Sequence, residues 1–204
     1  MRANHAFVEC KRAAIRYDTI KSMQVGRLTH VAQVRGVDVY VHWSIFAIAI
    51  LVVAGAIRSP YLTFVGMGAY LGLLILHESG HLIMARRRGY QAFSMALYPI
   101  FGLASFEAPE SRMDRALIAW GGVLAQTVVA VPLTLYIVLA GYTPFEPLNA
   151  VLAILGAYSL FAAAFNLLPI PPLDGSKAWD IIPAWLEQRR LRRSQRPIAY
   201  HSPP

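Results

Sequence analysis

Four long apolar segments constrain what this chain can fold into. They lie at residues 40–57, 61–85, 117–140 and 148–168, with short connections before the second and the fourth. A helix needs roughly 17–25 mostly apolar residues to cross a bilayer, and each segment is close to that length or longer. Hydrophobic residues make up 56% of the 204 residues and charged residues only 15%, which disfavours a soluble protein. The sequence therefore predicts an all-α polytopic membrane protein with about four transmembrane helices.

The net charge of +8 is distributed around these segments rather than along one surface. Lys and Arg number seven before residue 43, one between the first two segments, five in 86–116, none between the third and fourth segments, and six after residue 168. Basic residues accumulate in cytoplasmic loops, so both termini and the 86–116 loop are predicted to be cytoplasmic, at the cell membrane. No basic and aromatic nucleic-acid module is visible, so nucleic acid is not an expected partner.

Three regions follow from this pattern. Residues 1–39 form a basic cytoplasmic segment, 40–185 a membrane core, and 186–204 a basic cytoplasmic tail. The first region lacks the apolar core and cleavage site of a secretory signal, so no removal is expected. Alternating residues between positions 25 and 43 are compatible with a pair of strands that leads into the membrane.

The loop between the second and third segments predicts a small element of β-structure. Pro99 and Gly102 disfavour a helix in this loop. Aromatic and apolar residues surround its Pro-Ile-Phe-Gly centre. This composition favours a β-hairpin-like loop near the membrane surface. The alternative is a surface loop without strands.

The second apolar segment contains the sequence His-Glu-Ser-Gly-His at positions 77–81. Residues four apart lie on one face of a helix, so His77 and His81 can direct two imidazoles at one metal ion. Glu78 lies beside the pair and can accept a proton from a water molecule that zinc activates. Ionisable groups inside a span are costly and are rarely incidental. The alternative is a polar patch that joins helices by hydrogen bonds.

A catalytic zinc site needs a third protein ligand and one open position. Asp174 is the best candidate among the carboxylates, because it follows the fourth apolar segment on the same predicted side as His81. The prolines of the preceding Asn-Leu-Leu-Pro-Ile-Pro-Pro-Leu sequence disfavour a helix there and favour an extended segment. An Asp-Gly pair is also typical of a turn, so the alternative role of Asp174 is that of a turn residue.

Together these residues resemble the site-2 protease family of intramembrane zinc metalloproteases. The resemblance rests on the His-Glu-Ser-Gly-His motif (77–81) and on Asn-Leu-Leu-Pro-Ile-Pro-Pro-Leu-Asp-Gly (166–175) after a later span. Val-His-Trp-Ser (41–44) and Gly-Gly-Val-Leu-Ala-Gln (121–126) also look like that family. The resemblance covers roughly residues 35–185.

The resemblance implies one zinc ion per chain, bound by His77, His81 and Asp174. It implies that Glu78 is the general base and that Asn166 helps to stabilise the oxyanion of the tetrahedral intermediate. An alternative role for Asn166 is a helix cap or an interhelical hydrogen bond.

The third apolar segment departs from the family pattern. The family usually has Pro and Asn where this chain has Val123 and Gln126. Gln126 can supply an amide, but its longer side chain puts a contact with substrate in doubt.

The expected function is zinc-dependent cleavage of transmembrane or juxtamembrane segments of membrane proteins, with regulated proteolysis as the family-level expectation. A strand edge within 93–106 would hold the substrate extended by β-addition. The expected partners are a membrane-protein substrate and the lipid bilayer, and a homodimer or a regulatory membrane partner stays open. The alternatives are a catalytically inactive membrane scaffold of the same fold, a membrane zinc protease that acts on soluble segments, and a metal transporter.

Overall fold

A computed structural model describes residues 28–55 and 59–194 of this chain, and predictions for the remaining residues lie outside that part. The strands are β1 (Leu28–Val34), β2 (Val37–His42), β3 (Ala92–Leu97) and β4 (Gly102–Phe106). The helices are α1 (Ser44–Gly55), α2 (Pro60–Arg87), α3 (Arg112–Ala140), α4 (Glu146–Ala153), α5 (Ser159–Asn166), α6 (Gly175–Ala178) and α7 (Ile181–Ser194). A π-helical turn, Ile154–Tyr158, joins α4 to α5.

Three helices in the described residues are long and apolar enough to cross a membrane: α2, α3 and the continuous helix Glu146–Asn166. They coincide with the last three predicted spans. The first predicted span differs, because residues 40–42 belong to strand β2 and the described part of α1 has 12 residues. Its length of about 18 Å is short of the roughly 30 Å hydrocarbon core. The alternation Val-Asp-Val-Tyr-Val-His gives residues 37–42 the period of a strand, so the first predicted span is part strand and part helix rather than one helix.

Apolar residues cover much of the outer surface of the helices, whereas several polar side chains lie inside. Ile50, Val128 and Leu139 are each more than 70% exposed. The buried polar residues include four on two helices: His77, Glu78, His81 and Gln126. A soluble protein rarely exposes so large an apolar surface, whereas a membrane protein turns that surface to lipid and keeps ionisable groups inside.

The four strands form one sheet in the order β1-β2-β3-β4. The two hairpins, β1–β2 and β3–β4, are antiparallel, and β2 pairs with β3 in parallel. Parallel neighbours need a crossover connection, which α1 and α2 provide here. The hairpin between the second and third apolar segments is therefore half of a larger sheet.

The sheet lies alongside α2 rather than beyond its end. Arg86 donates a hydrogen bond of 2.8 Å to the carbonyl of Arg35 at the β1–β2 turn. At the other end of the sheet, the Tyr70 hydroxyl lies 3.5 Å from the carbonyl of Ile100, in the β3–β4 turn. Tyr70 and Arg86 are about 24 Å apart along the helix axis, at 1.5 Å per residue. The hairpin therefore follows the second half of α2. Buried residues of α2 and the sheet form the core between them: Val37, Leu73, Leu74, Leu82, Ala92, Met95 and Leu97.

Helices α2 and α3 cross closely because glycines meet at the contact. A Cβ atom on Gly121 would lie 2.6 Å from the carbonyl oxygen of Gly80, and a Cβ on Gly80 would clash with the backbone of Gly121. Small residues let two helix backbones approach, as in membrane helix pairs. This crossing places α3 directly against the helical turn that carries His77 and His81.

Candidate metal centre

Three potential metal ligands meet where α2, α3 and the segment before α6 come together. The Nε2 atoms of His77 and His81 lie 3.1 Å apart. Oδ2 of Asp174 lies 3.0 Å from Nε2 of His77 and 3.2 Å from Nε2 of His81. Both histidines are buried and Asp174 is half-buried. In the described residues this is the one group of His, Cys, Asp and Glu side chains whose donor atoms are close enough to hold a metal ion.

The donor set fits a zinc ion. Zinc binds imidazole nitrogen and carboxylate oxygen at about 2.0–2.2 Å in tetrahedral geometry, which places neighbouring donors about 3.3 Å apart. The three donor–donor distances in this protein, 3.0–3.2 Å, come within a few tenths of an ångström of that value. Three protein ligands also leave the fourth position open, as catalytic zinc sites require.

The carboxyl of Asp174 is in the ionised form that binds a metal. In the metal-free protein burial raises its pKa, but hydrogen bonds from the protonated imidazoles of His77 and His81 and their charge outweigh burial and hold the pKa well below its ordinary value. Asp174 is therefore a carboxylate at neutral pH.

The other nitrogen of each imidazole is hydrogen-bonded to α3. Nδ1 of His81 donates to the carbonyl oxygen of Ile118 at 2.8 Å, and Nδ1 of His77 lies 2.9 Å from Oε1 of Gln126. Metal-binding histidines typically donate their second N–H in this way, which fixes the tautomer and the orientation of the ring. Both Nε2 atoms are thereby left with a lone pair for the metal.

Gly122 provides the space that the two imidazoles occupy. A Cβ atom at this position would lie 2.5 Å from Nε2 of His81 and 2.7 Å from Cε1 of His77. Even alanine would therefore intrude on the donor atoms. Gly121 permits the helix crossing and Gly122 permits the metal centre, so the adjacent glycines have separate roles.

Glu78 is buried between the metal centre and the edge strand β4. The backbone of Ala104 in this strand lies close to its carboxyl group. A Cβ atom on Gly102 would collide with the Glu78 side chain, so glycine permits β4 to pass close to this carboxyl. The sequence motif placed Glu78 next to His77 and His81, and the strand holds it in that position.

Two tryptophans fix the segment that carries Asp174. The indole N–H of Trp179 donates to the carbonyl of Leu167 at 2.7 Å, and that of Trp120 donates to the carbonyl of Ala178 at 3.1 Å. Their rings meet edge to face, with centroids 5.8 Å apart. These bonds close the proline-containing turn after α5 and attach α6 to α3, so Asp174 reaches the histidines from a fixed segment.

Asn166 is the last residue of α5 and is half-buried. Within the described part of the chain, its side chain forms no hydrogen bond. The predicted catalytic role of Asn166 therefore stays a prediction. Sequence reasoning did not identify the contacts of Gly102, Ile118, Gly122 and Gln126 with the site. The adjacent glycines 121 and 122, inside an apolar span, were the sequence feature that could have predicted close helix packing at the site.

Comparison with known proteins identifies relatives of this chain. Residues 141–203, which include the Asn166–Gly175 sequence, match the model of peptidase family M50. A Synechocystis protein named as a candidate zinc metalloprotease, sll0528, is 32% identical over 115 residues, or 53% of this chain and 30% of that protein. Rip3 of Mycobacterium tuberculosis, also named as a candidate zinc metalloprotease, is 29% identical over 173 residues, or 77% of this chain and 43% of that protein.

The fold has a solved counterpart. The site-2 protease from Methanocaldococcus jannaschii superposes with a TM-score of 0.59 at 21% identity, over 79% of this chain and 73% of that one. These matches confirm the resemblance to the site-2 protease family and a mostly helical membrane fold with a small sheet. The three long apolar helices of the described residues are those of a multi-pass membrane protein. The chain spans less than half the length of the curated relatives that it matches.

Proposed function

We propose that this chain, a relative of the site-2 proteases of peptidase family M50, is a zinc-dependent endopeptidase that cleaves membrane proteins within or next to a transmembrane segment. The observation that carries the proposal is the convergence of His77, His81 and Asp174 at tetrahedral donor spacing beside the buried Glu78. His77 and His81 lie in a helix that is apolar and long enough to cross a membrane. No observed feature favours an inactive scaffold, since each group that hydrolysis needs is present.

The residues of the site have distinct roles in this proposal. His77, His81 and Asp174 hold the zinc ion, which when bound polarises a peptide carbonyl and lowers the pKa of water. Glu78 accepts the proton of the attacking water and returns it to the leaving amine. Strand β4 passes close to the Glu78 side chain at Gly102 and keeps its carboxyl directed at the site. The buried position of Glu78 excludes bulk water from this proton transfer.

Asn166 is proposed to stabilise the oxyanion of the tetrahedral intermediate, as the family resemblance implies. Its side-chain amide forms no hydrogen bond to another described residue and is therefore available as a donor. A positioned donor of this kind contributes roughly 2.7–4 kcal/mol to transition-state stabilisation where it has been removed from other proteases. Asn166→Ala should therefore lower the turnover rate while zinc binding stays the same.

Strand β4 is proposed to bind the substrate. It is one of the two edges of the sheet, and at Gly102 it passes close to Glu78. A peptide that pairs with this edge would be extended, and its carbonyls would be freed from helical hydrogen bonds next to the general base. Unpaired backbone groups are costly in lipid, so an edge at this depth is tolerable where it lines a cavity or binds a segment.

The proposed topology has four crossings, of which the first is composite. Strand β2 leads directly into α1, and the two add about 20 Å and 18 Å, enough for the roughly 30 Å core. The β1–β2 turn at Arg35 lies beside Arg86, near the C-terminal end of α2. Strand β2 ends beside Leu97 of β3, because Val41 pairs with Leu97, and the β3–β4 turn that follows Leu97 contacts Tyr70. Helix α1 therefore starts at about the level of Tyr70. Four crossings keep the basic ends, and the basic residues at both ends of the 86–116 connection, on the cytoplasmic side. The expected homodimer or regulatory membrane partner gains no support from these contacts.

The test is cleavage of membrane proteins in the presence of the chain. A panel of single-span membrane proteins would be co-expressed with the wild type or with Glu78→Gln, and new fragments identified by mass spectrometry. The wild type should produce cuts within or next to the spans of some panel members, and Glu78→Gln should produce none while retaining zinc. Identical fragments with both would contradict the proposal, and cuts confined to soluble loops would favour the protease that acts on soluble segments.

A further inference from the structure

Gln126 is the most deeply buried polar side chain in contact with the metal ligands. It lies on α3 and is only 1% exposed. Its Oε1 atom lies 2.9 Å from Nδ1 of His77, and its Nε2 atom has no hydrogen-bond partner in the described structure. An amide buried in this way is costly when one donor is unpaired. The hydrogen bond between Oε1 and His77 is therefore the contact that explains why a glutamine lies here.

The geometry of His77 assigns a direction to this hydrogen bond. Nε2 of His77 faces His81 and Asp174, so a metal there needs the lone pair of that nitrogen. The single proton of the neutral imidazole must then lie on Nδ1, which makes Nδ1 a donor and requires an acceptor opposite it. The amide oxygen of Gln126 is that acceptor. If the amide were reversed, two N–H groups would face each other.

We propose that Gln126 is a positioning residue, which holds His77 in the tautomer and orientation that bind zinc. This inference rests on the proposed zinc site. His81 obtains the same support from the backbone carbonyl of Ile118, which no substitution removes. The support of His77 depends on a side chain, so the sequence at position 126 controls the affinity of the site for its metal.

The length of the side chain matters as well as its chemistry. Helix α3 is fixed against α2 by the contact between Gly121 and Gly80, so position 126 cannot move towards His77 freely. Asparagine carries the same amide on a side chain about 1.5 Å shorter, one C–C bond. Its oxygen would fall short of Nδ1 of His77. Glutamate has the length of glutamine, keeps an acceptor oxygen, and has no N–H to leave unpaired.

Zinc affinity of the purified full chain in detergent tests this inference, measured by competition with a chromophoric chelator. Gln126→Met preserves the size and removes the acceptor, and should raise the zinc Kd about 10- to 100-fold. Gln126→Asn should raise it similarly, and provides the test if the methionine variant does not fold. Gln126→Glu should bind zinc at least as tightly as the wild type. Ser159→Ala is the matched control, since this buried hydroxyl also lacks a partner and lies on another helix.

Two further readouts separate positioning from packing. Thermal unfolding of the metal-free variants reports whether the fold is weakened, and the visible absorption of the cobalt-loaded protein reports the coordination geometry. Positioning predicts altered cobalt spectra for the methionine and asparagine variants and a wild-type spectrum for glutamate. Equal zinc affinity in wild type and Gln126→Met, or a loss in Gln126→Glu as large as in Gln126→Met, would overturn the inference. A wild type that binds no zinc would instead overturn the proposed function on which the inference rests.

Discussion

Gly122→Ala is the smallest substitution that should destroy the metal centre while leaving the helices intact. The added Cβ would lie 2.5 Å from Nε2 of His81 and 2.7 Å from Cε1 of His77. Ordinary contacts between such atoms are about 3.5 Å, so the imidazoles must move by about 1 Å. Metal ligands have a tolerance of only about 0.2 Å, so at least one histidine would leave the zinc.

The expected loss exceeds that caused by removing a hydrogen-bond partner of a ligand, which costs about 10- to 100-fold in metal affinity. We therefore expect the zinc Kd of Gly122→Ala to rise by at least about 100-fold, the upper end of that range. Helix propensity should not weaken the metal-free variant, because alanine favours a helix over glycine by up to about 1 kcal/mol.

Chelator competition and metal-free thermal unfolding would be measured on Gly122→Ala and on Gly72→Ala. Gly72 is the matched control, since it lies on α2 and a Cβ there would have nothing within 4 Å. Gly72→Ala should bind zinc as the wild type does. Wild-type zinc affinity in Gly122→Ala would refute the placement of the two imidazoles against α3.

Three further predictions follow from the same contacts. Gly121→Ala should destabilise the protein by about 1–3 kcal/mol, because its Cβ would lie 2.6 Å from the carbonyl of Gly80, and an unchanged Tm would count against the close crossing. Trp179→Phe removes the donor to Leu167 and should weaken zinc binding about two- to tenfold, whereas unaltered affinity would show that this bond does not hold the ligand segment. The depressed pKa of Asp174 means that its contribution to the stability of the metal-free protein is present above the ordinary aspartate pKa of about 3.9 and is lost as the pH falls towards the folded value. Acid unfolding of metal-free Asp174→Asn should therefore depend less on pH below about 4 than that of the wild type, and equal profiles would contradict this contribution.

The sequence was sufficient where local periodicity determines geometry. The spacing of His77 and His81 on a helix predicted that they share a face, and their Nε2 atoms do lie 3.1 Å apart. The proline-rich segment after the fourth span, predicted to be extended, and the need for a third ligand pointed to Asp174, whose Oδ2 lies near both histidines. The three long helices were predictable because each is a continuous apolar run.

Contacts between distant parts of the chain were not predictable in this way. The parallel pairing of β2 with β3 joins residues 38–41 to residues 94–97. No local sequence pattern specifies which strand will pair with which. The role of Gln126 depends on how α3 packs against α2, since its partner His77 lies 49 positions earlier. The first span was predicted as a single helix because strand β2 and helix α1 are both apolar and follow one another directly.

The zinc content of the purified protein tests the central claim most directly. Elemental analysis would be performed on the wild type, Asp174→Ala and Glu78→Gln, with the folded state of each verified by size-exclusion chromatography. The expected result is about one zinc per chain in the wild type and in Glu78→Gln, and clearly less in Asp174→Ala, as three protein ligands and a separate base require. A folded wild type without zinc, or an Asp174→Ala variant with the full amount, would contradict the assignment of the site.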